Sequence, residues 1–284
     1  MIEPLQQTFM QRAFLEVLLL GIVCGPLGVW ILFFRQAYAA ESLTHAMLPG
    51  LALAALLGFP LFLGAGIGVI AAAIAIAIVA LRLGSGAPVA VVVTGFLGVG
   101  ALLALTPTTP ARLSDLLFGD LLALTYSDIA ITTALTVIVG VGLLAAKRQF
   151  TLVVFNANSS KSLGVSSTQT TMLLLSILAL TIVIGSQGLG NLLLVSLLLG
   201  PAAAAQQLTA RLSTLLILAG FLAILSGIIG LYLSYYFDLA AGGSVALVAV
   251  STFGISALLR QLFKKQRLQS QVEDRQTDFA QVAK

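Results

Sequence analysis

Charge is what this 284-residue sequence has least of: Asp, Glu, Lys and Arg together make up 8% of it, against about a quarter of an average soluble domain. Hydrophobic residues make up 59%. So few charges cannot clothe a water-facing surface, which excludes a soluble globular domain and places the chain in a bilayer. Cysteine is scarcer still. Cys24 stands alone, so neither an intrachain disulfide nor a cysteine metal cluster can form. Histidine also occurs once, at His45. No G-x-x-x-x-G-K-[ST] stretch is present, and the glycines of GAGIG at 64 to 68 lie inside an apolar run, so there is no phosphate loop for ATP. The net charge of +4 is scattered between apolar runs one or two cations at a time, a pattern of membrane topology rather than of nucleic-acid binding.

What the sequence has in abundance is hydrocarbon. Apolar runs of about 18 residues or more recur from residue 13 to residue 262, each long enough to cross a core of about 30 Å as a helix. Helices are the expected spanning element, because the backbone must be satisfied within each segment and the runs exceed barrel strands. Arg12 before an apolar stretch resembles a signal peptide. The stretch runs on to Phe34 without a clear cleavage site, so it reads as a retained first span. The spans are expected near 13 to 34, 39 to 58, 61 to 81, 87 to 105, 128 to 146, 170 to 187, 191 to 208, 212 to 233 and 240 to 262. Two neighbouring short spans merging would leave eight.

Alternating these spans puts twelve of the fourteen Lys and Arg residues on one side, leaving Arg12 and Arg112 on the other. The crowded side is expected to be cytoplasmic, with the C-terminus inside and the N-terminus outside. The tail from about residue 263 is polar with both signs of charge, a solvated helix or disordered segment. Residues 106 to 127 begin with helix-breaking prolines and continue as a short amphipathic segment, suited to an outer-face or re-entrant element. Residues 147 to 169 form the longest cytoplasmic connection. There Asn156, Asn158, Ser159 and Ser160 offer helix caps and Gly164 a stop. The pairs Gly21/Gly25 and Gly64/Gly68 suit close helix packing in lipid.

Within AYAAESLTHAMLPG, residues 37 to 50, Glu41 and His45 stand four apart and share a helix face. An ionised residue at mid-span costs about 2.5–3.5 kcal/mol on insertion scales, so the pair is expected to face protein or water. Two readings fit the residues. In one, Glu41 reaches cytoplasmic water and His45 bonds a neighbouring helix. In the other, carboxylate oxygen and imidazole nitrogen form half of a divalent-metal site. A two-fold dimer would then supply two Glu and two His, enough for tetrahedral zinc or, with waters, octahedral manganese. Glu16 is expected to reach water at the outer end of the first span. Asp115, Asp120, Asp128 and Asp238 fall near the outer face, where they could form an acidic entrance. Pro49 and Pro201 should kink their helices.

The stretch ESLTHAMLPGLALAALLG resembles the D-S-L-S-H-A-x-L-P-G-V-A-L-A segment of the metal-type ABC transporter permeases, importers of zinc, manganese or iron. LLFGDLLALTYSD at 116 to 128, LGNLLLVSLLLGPAAAA at 189 to 205 and GLYLSYYFDLAAGGSVALV at 230 to 248 match the family in the same order. The resemblance implies an all-α polytopic membrane protein of about eight to nine transmembrane helices. It also implies a permease domain over residues 1 to 262, with a cytoplasmic coupling segment near 151 to 167 and the tail from 263 to 284. By the same likeness the chain pairs with itself or a close paralogue in a prokaryotic plasma membrane. It would bind separate cytosolic ATPase subunits and receive metal from an extracytoplasmic binding protein, with no enzyme activity or tightly bound cofactor of its own.

In the family the acid and histidine of the D-x-x-x-H segment hold metal in the path; they map to Glu41 and His45. Glu replaces Asp at 41 and lengthens the arm by one methylene. The D-x-E-x-A-x-x-x-G coupling pattern maps loosely onto Asn156 to Gly164, including Ser160, Lys161 and Leu163, with the acids lost and Lys161 gained. The reading is a subunit of an ATP-driven importer of manganese or zinc, with iron a further candidate. Its rivals are an ABC permease for a chelate such as a siderophore or cobalamin, and a proton-coupled secondary carrier in which Glu41 titrates.

Overall fold

The computed structural model describes residues 6–83, 87–105, 121–156, 160, 162–188 and 191–282. Among these residues the regular structure is helical, with no strand. Six helical stretches are long and apolar enough to cross a membrane, and three shorter apolar helices accompany them. The expected segments are all present. In chain order the helices are α1 (Thr8–Phe33), α2 (Ala37–Ala46), α3 (Leu48–Leu57), α4 (Leu61–Leu83), α5 (Ala87–Ala104), α6 (Tyr126–Phe155), α7 (Ser167–Gly188), α8 (Asn191–Leu208), α9 (Leu212–Phe237) and α10 (Ala241–Val282).

The first span is the hub. Helix α1 packs chiefly against α9 and also against α8, α6 and α7, and it buries Leu20, Leu27, Trp30 and Ile31. Its contact with α9 is made at glycine: a Cβ on Gly21 would lie 2.7 Å from Ile224 Cγ1, and one on Gly25 would strike the Ala219 backbone. In lipid, where tails are as apolar as leucine, such backbone approach supplies the dispersion contact that holds helices together. At the far end Trp30 sits 5.3 Å from Phe150 and Phe33 sits 5.4 Å from Phe155, ring centre to ring centre. At the near end Arg12 lies over the Tyr126 ring at 5.5 Å. The paired ends show that α1 and α6 run in the same direction, as the span alternation requires.

The outer surfaces of α4 and α6 carry Ile67, Ile70, Ile74, Val137, Ile138, Val141 and Leu144, all exposed on the protomer. A helix face this apolar needs hydrocarbon or another protein against it. Hydroxyls are mostly satisfied locally, at the surface by Thr133 and inside by Thr181 and Ser226, each donating to the carbonyl one turn earlier at 2.7–2.9 Å.

One detail differs from expectation, the tail takes one of its two expected forms, and one element falls largely outside the described residues. Pro49 does not kink a continuous span; the helix breaks at Met47, and Pro49 sits in the first turn of a new one, α3, where its missing N–H costs nothing. The polar tail continues α10 as helix to Val282. Most of the 106 to 127 element, with Asp115, Asp120 and Arg112, lies outside the described residues.

The break at Met47 is clasped from two sides. A Cβ on Gly68 of α4 would come 2.6 Å from the Met47 carbonyl oxygen, and one on Gly100 of α5 would come 2.8 Å from Leu48 Cβ and Pro49 N. Backbone atoms cannot yield as a flexible side chain can. Gly68→Ala is therefore expected to destabilise the fold by about 1–3 kcal/mol, read as a lowered melting temperature of the purified protein. Gly140→Ala, whose Cβ meets nothing within 4 Å, should leave melting unchanged or raise it slightly.

Candidate functional site

The helix that carries Glu41 and His45 is set by two chain reversals. Helix α1 ends in a left-handed residue, Arg35 at φ 57°. Arg35 N–H donates to Leu32 O at 3.1 Å and Gln36 N–H to Ile31 O at 2.9 Å. This is the Schellman closure with arginine in the position glycine usually fills, which places a cationic residue at the negative end of the helix. One residue later α2 begins, and it stops at the Met47 break. The result is a ten-residue helix flanked by turns and packed against α5, α8, α4 and α7.

On this helix Glu41 is exposed on the protomer and His45 partly exposed, one turn apart, while Ser42, Leu43 and Thr44 between them are buried. The Thr44 hydroxyl donates to the Glu41 carbonyl at 2.6 Å, which leaves the Glu41 carboxylate outside that bond. His45 Nδ1 is buried with no hydrogen-bond partner. Shielding an unpaired ring nitrogen from water costs on the order of 1–3 kcal/mol, a penalty that a donor or a metal ion on that lone pair removes. Among the described residues no three His, Cys, Asp or Glu side chains converge. One protomer thus presents two candidate ligands.

The remaining acids divide. Glu16 is a correction: its side chain does not reach water but is fully buried between helices, its Oε1 accepting a bond from Thr132 Oγ1 at 3.1 Å. The short apolar interval from the start of the span suggested a shallow position. The end of α7 lies over it instead: a Cβ on Gly188 would sit 3.2 Å from Glu16 Cγ and equally near Leu121 Cδ2. Nothing in the sequence pairs Glu16 with a threonine 116 residues away. Asp128 accepts the Thr125 N–H at 2.9 Å in a capping box that starts α6, and Asp238 ends α9 in left-handed geometry. The Asp128 carboxylate is thus held in a helix cap, and at Asp238 it is the backbone N–H, donating to Ser234 O, that closes the helix.

In the connection after α6, Asn156 caps the helix and Ser160 N–H donates to Asn156 O at 2.9 Å. Val165 N–H then closes on Ser160 O at 2.8 Å around Gly164 at φ +72°. This is a helical turn with a glycine stop; Ser160 is buried, and Leu163 and Gly164 are exposed. Asn158, Ser159 and Lys161 lie outside the described residues.

The model of a family described as the ABC 3 transport family matches residues 6–260. The chain is 33% identical to a manganese transport system membrane protein of Listeria monocytogenes over 93% of this chain and 96% of the relative. A chelated iron transport system membrane protein of Yersinia pestis is 26% identical over 92% of this chain and 88% of the relative. The fold superposes on the solved structure of PsaBC from Streptococcus pneumoniae with a TM-score of 0.82 and 29% identity, covering 90% of this chain and 93% of that one.

The exposure pattern of α2 can be read chemically. Cys24 is fully buried and should give no background with a water-soluble maleimide. Glu41→Cys is expected to label in membranes and Thr44→Cys, three residues on, to resist labelling. Failure of Glu41→Cys to label would show that this helix face is not open to water, and equal labelling of the two would contradict the burial of Thr44.

Proposed function

The chain belongs to the ABC 3 transport family, and from that premise we propose that it is the membrane-spanning subunit of an ATP-driven importer of a divalent transition metal. Glu41 and His45 form its half of the ion's path. The observation that supports this most directly is His45 Nδ1, buried without a hydrogen bond one turn from an exposed carboxylate. A carboxylate oxygen and an imidazole nitrogen suit manganese, iron and zinc. The relatives' cargoes, manganese and chelated iron, put manganese first.

The subunit performs no covalent chemistry. Two copies, or this chain and a close paralogue, would face their α2 helices across a shared path and so supply two Glu and two His. An ion held by oxygen and imidazole without thiolate exchanges readily, which a passage site needs. The glutamate at position 41 places its carboxylate one methylene further from the backbone than aspartate would. Separate ATPase subunits in the cytoplasm would engage the turn from Asn156 to Gly164, with exposed Leu163 as the contact. The aromatic contacts of Phe150 and Phe155 with Trp30, Phe33 and Phe34 join the end of α6 to the end of α1, just ahead of α2. A push on the turn would travel to the site through those rings. An extracytoplasmic binding protein would deliver the metal to the other face. Residues 1 to 262 form the permease in a plasma membrane, and the tail from 263 lies in the cytoplasm with the other clustered cations.

The test is metal uptake by the assembled transporter with manganese, iron and zinc in competition. His45→Ala is expected to lower uptake of the preferred ion by about tenfold or more, since even an outer-shell change at a metal site costs 10–100-fold. Uptake of every metal at the wild-type rate would refute the coordination, and unchanged uptake of a chelate alone would favour a chelate permease.

A further inference from the structure

Glu16 has no part in the proposed path, yet it is the one acidic or basic side chain fully buried among the described residues. Its Oε1 accepts from Thr132 Oγ1 at 3.1 Å, and its Oε2 is buried with no hydrogen-bond partner. On α6, one turn beyond Thr132, Thr136 Oγ1 is also buried and unpartnered. These two threonines depart from the pattern of Thr133, Thr181 and Ser226, which donate to their own helices. Room for the carboxyl depends on Gly188: a Cβ there would sit 3.2 Å from Glu16 Cγ and 3.2 Å from Leu121 Cδ2. The side chain is thus seated in a small polar cell with an apolar cover.

Among the described residues no cation pairs with it. Arg12, one turn earlier on α1, lies over Tyr126 and donates from Nε to Thr8 O at 3.3 Å. Across the interface α6 contributes Asp128, a second carboxylate engaged in its capping box. Helix α9 contributes Tyr232, packed on Phe14, and α7 and α8 contain no titratable residue. Further along α1 there is the Cys24 thiol, and α2 brings Tyr38, Glu41 and His45 only at the opposite end. An ionised carboxylate sealed away from water with one hydrogen bond and no counter-charge is strongly disfavoured.

We infer that Glu16 is a proton-binding site of the folded protein: a carboxylic acid with Oε1 accepting from Thr132 and its proton on the otherwise unpartnered Oε2. Release of that proton leaves a carboxylate that must gain water or the Arg12 guanidinium one turn away, so the end of α7 must move off it. The proton therefore keeps the near ends of α1, α6 and α7 together.

The experiment is infrared spectroscopy of the full-length permease in lipid at neutral pH. The wild type is expected to show the carbonyl band of a protonated carboxyl, absent in Glu16→Gln. Thr132→Val, which removes the one donor to Oε1, should keep the band and shift it to higher frequency. A wild type without the band, a band that survives Glu16→Gln, or one unmoved in Thr132→Val overturns the assignment.

Discussion

Backbone contact at glycine, made where lipid offers no other driving force, is the constraint on which the site depends. The second span is not one helix but two, broken at Met47, and a break inside a bilayer is tolerated only where protein covers it. Gly68 and Gly100 provide that cover by letting α4 and α5 approach the Met47 to Pro49 backbone closely. On the other side, the left-handed turn at Arg35 ends α1 and fixes where α2 begins. Between these two fixed ends, Glu41 and His45 occupy a short helix whose orientation is set by close-packed backbone rather than by flexible side chains.

A second regularity follows from the same solvent. With no water in the hydrocarbon region, each buried polar group needs a partner within protein. Most hydroxyls here find theirs one turn back on their own helix. Among the described residues two places break that rule: His45 Nδ1, and the facing stretches of α1 and α6 where Glu16 Oε2 and Thr136 Oγ1 lack partners. They lie toward opposite ends of α1 and differ in kind. His45 sits beside an exposed carboxylate on a face open to a partner or an ion, whereas Glu16 is sealed beneath the end of α7. The first arrangement suits a ligand that comes and goes; the second suits one no larger than a proton.

Much of this was legible in the sequence. Apolar runs separated by one or two cations marked the helices, because in a bilayer length and hydropathy alone decide what spans. The i, i+4 spacing put Glu41 and His45 on one face, and the Gly21/Gly25 and Gly64/Gly68 pairs sit at close helix contacts. Gly164 is the helix stop that its position suggested. What could not be read depends on partners distant in the chain. Pro49 begins a helix rather than kinking one because residues from α4 and α5 accept the broken backbone. Glu16 is buried because the end of α7 closes over it, and its threonine partner carries no sequence mark that distinguishes it from Thr133 beside it.

The sole histidine makes the central claim open to one direct measurement. The permease, prepared without a histidine tag and labelled with 15N-histidine, can be loaded with Mn2+ and examined by pulsed electron paramagnetic resonance. If His45 holds the ion, a nitrogen hyperfine coupling to manganese should be present and should change from the 14N to the 15N pattern on labelling. Bound manganese with no histidine nitrogen coupling would contradict the account.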